Sequence, residues 1–566
     1  MNKTWVIKKH DYDKVSSLAA ALAVPPLVAA LLISRGYEDE THARRFLSPC
    51  LEDLHDPHLL KGMDAAIARI KAAVGKNEKI LIWGDYDVDG TTGTTLLRKA
   101  LVCLGARTSF HIPNRFTEGY GLNIEYLAKA FADGVKLVIT VDCGIRSFEP
   151  LIWAKENGLD VIVTDHHLSD PDRGAPPAVA VVNPNQDGCP YPDKQLAGVG
   201  VALKIAQALL GEGCDPRLMS EFLEIAAIGT VADVMKLTGE NRSIVTLGLR
   251  ELSRSRNPGL RALMEVADCN SEMTSLHIGF RIAPRINAAG RMDVARHVVD
   301  LLESPDVASA RKFATILDSR NRERQKVQQE ITERALLEAA QFSEKHFVVV
   351  GGDGWHRGVI GLAASKIAEK LNRPAIVLSI ENGIAHGSAR TVGNFHVLDA
   401  LTDCADIFDQ FGGHAAAAGM QIRSDRIDVL RERLNACAEK MMAGSAYASE
   451  LLIDAVVTPA TLGLELVDHI SCLEPFGAGN TKPVFLTREL NVKRDPLVMK
   501  ERHLKFDLAD PAGKRLEAVW WDGVERSKGQ TFRPGSNIEV AYTLEANTWQ
   551  GRKRLQLVVE DLRVNG

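Results

Sequence analysis

The chain has 566 residues, 45% of them hydrophobic and 25% charged, which is enough for several domains with large cores. A net charge of -5 excludes a global basic field, so any polyanion site must be a local patch. The nine cysteines include no Cys-x-x-Cys pair, which excludes a disulfide framework and a zinc ribbon and fits a reducing cytoplasm.

Residues 1–60 read as a helical segment without chemistry. Its most apolar stretch, Leu18–Ile33, is broken by Pro25-Pro26 and is too short to span a bilayer, so core helices and no membrane are expected. Over residues 61–300 one pattern repeats: apolar strand, carboxylate, helix. Ala65–Ile70 leads as an amphipathic helix into the strand Ile80–Trp83. Gly84-Asp85-Tyr86-Asp87-Val88-Asp89-Gly90 follows, with three carboxylates alternating over five residues, and then a helix from Thr94. Leu137–Val141 ends in Asp142-Cys143-Gly144, and Val161–Thr164 ends in Asp165-His166-His167. Strands alternating with helices predict a parallel sheet. Right-handed crossovers then bring every strand's C-terminal end to one edge. That edge collects Asp85, Asp87, Asp89, Asp142, Asp165, His166 and His167, with Asp233 as a further candidate. Clustered carboxylates repel unless a cation compensates. Carboxylates with imidazole suit a dinuclear Mn²⁺ or Mg²⁺ centre. Arg115, on the loop Ile112–Gly121, offers a fork for phosphate; a solvated loop arginine is the plainer reading. Gly198-Val199-Gly200 lacks the spacing of a phosphate loop and reads as a tightly packed helix start.

Residues 306–342 contain no Gly or Pro and are rich in Arg, Glu, Gln and Ala. A helix of about 35 residues spans about 50 Å, so 301–343 read as a connector bridging two lobes. A charged helix solvated on most sides is the alternative. A second α/β domain is expected over 344–445, with strands at His346–Val350 and Pro374–Ser379 and a helix at Val359–Leu371. Its Gly412-Gly413-His414 stretch lets a substrate backbone approach closely. Over 451–566 the short strands Leu504–Leu508 and Ile538–Tyr542, and a hairpin turn at Thr548–Gly551, predict a small β-barrel of OB-fold type, separable from the rest. Trp520, Trp521, Trp549, Lys505, Arg552, Lys553 and Arg554 mix rings with cations, as surfaces that stack bases do. Trp520 and Trp521 point to opposite faces, so at least one belongs to the core.

Asp87-Val88-Asp89-Gly90, Asp142-Cys143-Gly144 and Asp165-His166-His167 resemble the motifs of the DHH phosphoesterase family. The resemblance to its single-stranded-DNA exonuclease branch covers nearly the whole chain. It continues through Arg285-Ile286-Asn287-Ala288-Ala289-Gly290-Arg291, Gly387-Ser388-Ala389-Arg390 and Gly412–Gly419. It implies a metal-dependent phosphodiesterase that degrades single-stranded DNA 5′ to 3′ to nucleoside 5′-monophosphates, in repair and recombination, with two divalent ions, Mn²⁺ or Mg²⁺. It implies Asp89, Asp142, His166 and Asp233 at one ion, and Asp87 with a bridging Asp142 at the other. Many members carry a His four residues before the Asp87 position. Trp83 stands there in this chain, so Asp85 or water is expected to substitute. His167 is implied as a phosphate ligand and Asp165 as the group that orients a His. Ser388, Arg390 and His414 are implied to contact substrate phosphates across a cleft, joined by Arg285, Asn287 and Arg291. A single-stranded-DNA-binding protein or a helicase is a partner by family analogy alone. Two rivals remain. A phosphodiesterase of the same family acting on short RNA oligomers or cyclic dinucleotides would not need a barrel with an extended track. A binding scaffold with a dead centre would not need an intact acid cluster.

Overall fold

The computed structural model describes residues 3–565 apart from 116, 270–271, 293–294, 343, 394, 443–449, 528 and 550–551. A strand, Thr4–Ile7 (β1), stands where only helices were expected; it pairs in parallel with Glu450–Ile453 near the other end of the chain. Helices Tyr12–Leu22, Pro26–Ile33 and Glu40–Leu47 follow. Asp11 and Asp39 accept first-turn amides, and Pro26 begins the second helix, where a missing N–H does no harm. The Pro25-Pro26 break bends the first two helices by 113°, and no single helix among the described residues is long and apolar enough to cross a membrane.

The first sheet contains Lys79–Gly84 (β2), Arg107–His111 (β3), Val135–Val141 (β4), Asp160–Thr164 (β5) and Ala180–Val182 (β6). Its order is β3-β2-β4-β5-β6, all parallel. The winding reverses between β2 and β4, and ligands bind at such switch points, beyond the strands' carboxyl ends. The ladder runs one residue past each strand. Asp85 N donates to Val141 O (3.2 Å), Asp142 N to Thr164 O (3.1 Å) and Asp165 N to Val182 O (3.2 Å). The acids are therefore held in register along the sheet edge.

A helix of 33 residues, Val307–Ala339, connects the lobes, with Asp306 capping it through Ser309 N. Its first half packs Ala310, Ala314 and Leu317 against Leu263 and Ile286; its second half packs Ile331, Ala335 and Ala339 against Val348 and Ile360. It is thus a strut bound at both ends, not a solvated rod. The second sheet contains Val348–Asp353 (β7), Ala375–Glu381 (β8), Ile384–Arg390 (β9), Gln410–His414 (β10) and Ala417–Arg423 (β11). Its order is β10-β11-β9-β8-β7, with only β7 and β8 parallel. Gly412-Gly413-His414 lies in the edge strand.

The last region contains Glu450–Ile453 (β12), Ala455–Val456 (β13), Phe485–Val492 (β14), Leu497–Met499 (β15), His503–Ala509 (β16), Arg515–Trp520 (β17), Asn537–Trp549 (β18) and Arg552–Val564 (β19). Strands β14, β18, β19, β17 and β16 pair in sequence, and β16 returns to β14 through Asn491–Ala509 and Val492–Leu508, closing a ring. Trp520 is buried and Trp521 exposed, as their alternation requires. The side chain of Trp549 and the tip of the expected hairpin at Gln550 and Gly551 lie outside the described residues. The barrel shares its core with the N-terminal helices, which weighs against the separable unit expected. Its core residues Phe485, Phe506 and Tyr542 belong to one cluster with Leu18, Val28, Leu31 and Phe46 of the N-terminal helices.

Candidate metal centre

Each acid at the sheet edge is positioned by a specific element. Asp87 caps the helix Val88–Cys103, its Oδ1 accepting from Gly90 N at 3.0 Å. Asp89, in the first turn of that helix and fully buried, accepts from Gly198 N (2.6 Å) and Val199 N (2.8 Å), the opening amides of the helix Gly198–Leu210. The expected packed helix start is therefore a carboxylate cradle, in which a helix N-terminus faces negative charge. A Cβ on Gly198 would lie 2.6 Å from Asp142 Cβ, so only glycine lets this helix approach. Asp142 has φ 63°, a left-handed conformation rare for a non-glycine residue and concentrated at functional sites. Asp233 ends the helix Pro216–Ala232.

These elements converge. His166 Nε2 lies 3.1 Å from Asp142 Oδ1, 3.6 Å from Asp233 Oδ2 and 3.7 Å from Asp89 Oδ2. Ligand atoms of Asp85, Asp87 and Asp142 come within 4.8 Å of one another, as do those of Asp89, His166 and Asp233. Burial, then neighbouring carboxylates, raises Asp85, Asp89 and Asp142 well above the usual carboxyl range, and burial and Asp87 raise Asp233 to about 7. Burial, then the charge of His167, lowers His166 to about 4, so its imidazole is neutral and able to ligate. Among the described residues, Asp85 Oδ1, Asp142 Oδ1 and Asp233 Oδ2 are buried without a hydrogen-bond partner. Orphaned carboxylate oxygens around a neutral imidazole are what hard divalent cations require. The donor set therefore fits the metals.

Asp165 works differently. Its Oδ1 accepts from His167 Nδ1 at 2.7 Å and from the amides of His166 and His167, and its Oδ2 from Ile145 N. Burial alone would lower the pKa of His167, but the bond to Asp165 outweighs it and raises it to about 9. His167 is thus an oriented imidazolium at neutral pH. Trp83, at the position where many family members carry a His, is fully buried among Leu127, Val138 and Leu151. It supplies no ligand, and Asp85 completes the group with Asp87 and Asp142.

Across the cleft, Arg390 Nη1 donates to Ser388 Oγ at 2.9 Å, two positions apart and therefore on the same face of β9. Arg291 reaches from the first lobe and donates to Gly358 O at 2.8 Å, in the opening turn of the helix Arg357–Leu371. Burial, then the charges of Arg115, Arg324 and Arg390, lowers Arg291 to about 10. Arg115 acts on this cluster and on Asp85 as well, and its guanidinium lies 5.1 Å from the centre of the Tyr86 ring. Four like charges thus gather beside the acids, where an anion would neutralise them. Arg324 was not singled out by sequence, because nothing distinguishes it from Arg320 or Arg322 on the same helix. Asn287 lines a cavity with Arg291 and Arg324. His414 is exposed and shares a cross-strand row with Ala417 and Arg390, two strands from the arginine. Arg285 does not join the cluster. Its three nitrogens donate to Asp318 Oδ1 (2.9 Å), Arg281 O (2.7 Å) and Val266 O (3.1 Å), which makes it a brace between helices and corrects the substrate-contact expectation.

Family models match residues 79–230 (DHH family, N-terminal domain), 344–440 (DHHA1 domain) and 453–561 (RecJ OB domain). The single-stranded-DNA-specific exonuclease RecJ of Bacillus subtilis is 40% identical, over 99% of this chain and 71% of the relative. The chain belongs to the RecJ family. Its fold is also that of RecJ from Thermus thermophilus. The Mn²⁺ complex of that protein matches with a TM-score of 0.85 at 30% identity, over 99% of this chain and 79% of the other. The Mg²⁺ complex gives 0.78 at 28%, over 99% and 78%.

Proposed function

We propose that this RecJ-family chain is a metal-dependent exonuclease that degrades single-stranded DNA from the 5′ end, releasing nucleoside 5′-monophosphates. The observation that carries it is the set of orphaned buried carboxylate oxygens beside an arginine cluster drawn from both lobes. Asp85, Asp87 and Asp142 would hold one divalent ion, and Asp89, His166 and Asp233, with Asp142 shared, the other. Mn²⁺ or Mg²⁺ bound there would polarise the phosphoryl group and lower the pKa of water. His167, held by Asp165, donates from Nε2 to a non-bridging phosphoryl oxygen, supplying positive charge where negative charge develops. Arg390 and Ser388 hold the terminal phosphate, with Arg115 and Arg291 adding charge and Asn287 and His414 flanking them. Asp89 is kept in place by the Gly198 and Val199 amides and does not need to move protons.

A protein acting on short RNA oligomers or cyclic dinucleotides would have no use for the closed barrel, which favours the DNA reading. A cytoplasmic place in repair and recombination, beside a single-stranded-DNA-binding protein or a helicase, goes with it. The test is hydrolysis of end-labelled single-stranded DNA, duplex DNA and short RNA with Mn²⁺, Mg²⁺ or EDTA. Mononucleotides released from the 5′ end of single strands alone, and none in EDTA, are expected. Preference for short RNA would transfer the chain to the rival reading.

A further inference from the structure

Trp83 supplies no ligand to the metal centre, and its indole is engaged elsewhere. Near the end of β2 it sits in register with His111, the last residue of β3. The His111 ring meets two others. Its centre lies 4.5 Å from that of Trp83 and 4.6 Å from that of Tyr126, on the helix Ile124–Ala132. Trp83 and Tyr126 also meet edge to face, at 6.3 Å. Trp83 is fully buried, and among the described residues its Nε1 has no hydrogen-bond partner, so the indole acts through its ring. Three rings thus hold one imidazole in place at the end of an interior strand.

The imidazole in turn reaches the loop that carries Arg115. His111 Nε2 donates to Glu118 Oε2 at 2.8 Å, and Glu118 Oε1 accepts from Asn114 N at 3.0 Å. The pair is shielded, with the His111 side chain 22% exposed and that of Glu118 10%, so it is worth more than a bridge in open water. Two further bonds close the same turn: Glu118 N donates to Asn114 O at 2.9 Å, and Thr117 N to Asn114 Oδ1 at 3.2 Å. Arg115 directly follows Asn114 and lies inside this turn. Its guanidinium packs on the Tyr86 ring, among the like charges of Arg291 and Arg390. Those charges repel it, and ordering a loop costs conformational entropy at every residue. The bonds from Glu118 oppose both.

We propose that His111 and Glu118 are positioning residues for Arg115. The buried Trp83 ring fixes the imidazole, the imidazole fixes the carboxylate, and the carboxylate closes the turn that presents Arg115 to a substrate phosphate. Neither His111 nor Glu118 touches the strand. Position 83 therefore serves phosphate binding in this chain and not metal binding. The inference rests on the exonuclease reading, in which Arg115 adds charge at the terminal phosphate.

The test is steady-state cleavage of a 5′-phosphorylated oligothymidylate by the full chain with Mn²⁺, for Arg115→Ala, Glu118→Ala and the two together. Losing a bond to a charged group weakens binding about 10- to 150-fold. Arg115→Ala is expected to raise KM within that range, with kcat little changed. Glu118→Ala should raise KM by a large part of the same factor. The double variant should be no worse than Arg115→Ala alone, because an absent arginine needs no positioning. A general weakening of the fold would instead multiply the two effects. Glu118→Gln keeps an acceptor for Asn114 N and should recover part of the loss. Calorimetric Mn²⁺ titration should give Glu118→Ala the affinity of the unsubstituted protein, which separates the loop from the acid cluster. If Glu118→Ala melts too early to assay, the same cycle with His111→Gln decides. Multiplied effects in the double variant, an unchanged KM for the single one, or lost Mn²⁺ binding overturns the proposal. Absence of cleavage by the unsubstituted protein would instead sink the exonuclease reading itself.

Discussion

Asp89 and Asp142 are both buried acids beside His166, yet substitutions at the two should behave differently. Asp142→Asn removes a source of repulsion and a proposed metal ligand while keeping the side chain's shape. Hydrolysis and Mn²⁺ binding should be lost, and the melting temperature in EDTA should hold or rise. Asp89→Ala also strips the Gly198 and Val199 amides of their acceptor, a loss of about 1–3 kcal/mol per buried unpaired group, so the same melt should fall. Calorimetric Mn²⁺ titration with thermal melts separates the two, and equal melts would sink the proposed division of labour. The pH dependence follows from Asp233, raised to about 7 by burial and Asp87. A raised carboxyl means that the folded chain keeps a proton the unfolded chain has released. Metal-free stability should therefore fall as pH rises from the ordinary carboxyl value of 3.8 through about 7. The same proton competes with metal, so Mn²⁺ affinity should climb between about pH 6 and 8, by up to about tenfold per unit for each proton displaced. Titrations at several pH values check this; a flat profile would mean that the acids are already ionised without metal. Asp85, Asp142 and Asp165 were legible because each follows an apolar strand, whereas the stretch before Asp233, read in sequence as a strand, is the end of a helix. Arg285 was misplaced because a motif position does not disclose that Asp318 faces it from another helix.

At the scale of elements, the long helix was legible from 37 consecutive residues, 306–342, without Gly or Pro. Its contacts were not, since alanines at the two ends look alike until the lobes they bury against are known. β1 was illegible for a different reason. Four residues carry little periodicity, and their partner, β12, lies more than four hundred positions away. The helix carries Arg324 and packs against both lobes, so it is expected to set the distance between the acid cluster and Arg390. Glu323→Pro, at an exposed position in its middle, should kink it at a cost of about 3 kcal/mol or more. Mn²⁺ titration should be preserved while KM for single strands rises, since each lobe keeps its own core and only their spacing changes. If KM stays put, the strut does not set the cleft. If Mn²⁺ binding is lost too, the lobes are not independent.

Across the whole molecule, the shared core of the N-terminal helices and the barrel decides how the barrel's role can be tested. Ending the chain near residue 449 would remove the strand that β1 pairs with and bare Val28, Leu31 and Phe46. Such a truncation is expected to aggregate, and its loss of DNA binding would say nothing about a grip. The barrel's outer face offers a cleaner route. Trp521, Lys505 and Arg554 line one hollow there, and Arg494 and Arg515 line the next. Acids temper the charge, since Lys505 pairs with Glu517, and Asp507 takes both Arg494 and Arg515. A phosphate backbone would have to displace these pairs, so each basic residue contributes less than an isolated one. Arg554 and the Trp521 ring carry no such debt in the described residues and are the informative positions. Trp521→Ala with Arg554→Ala should weaken binding of long single strands through one stacked base, worth about 1–3 kcal/mol, and one phosphate contact. The salt slope should become shallower by about 0.7 for the contact removed. Oligonucleotides of a few residues, which reach only the metal cleft, should bind as before. Affinity measured against strand length and salt, with a melt to confirm folding, decides it. A folded double variant with unchanged long-strand affinity and slope would leave the barrel as the clamp that covers the N-terminal helices, with DNA held by the two α/β lobes alone.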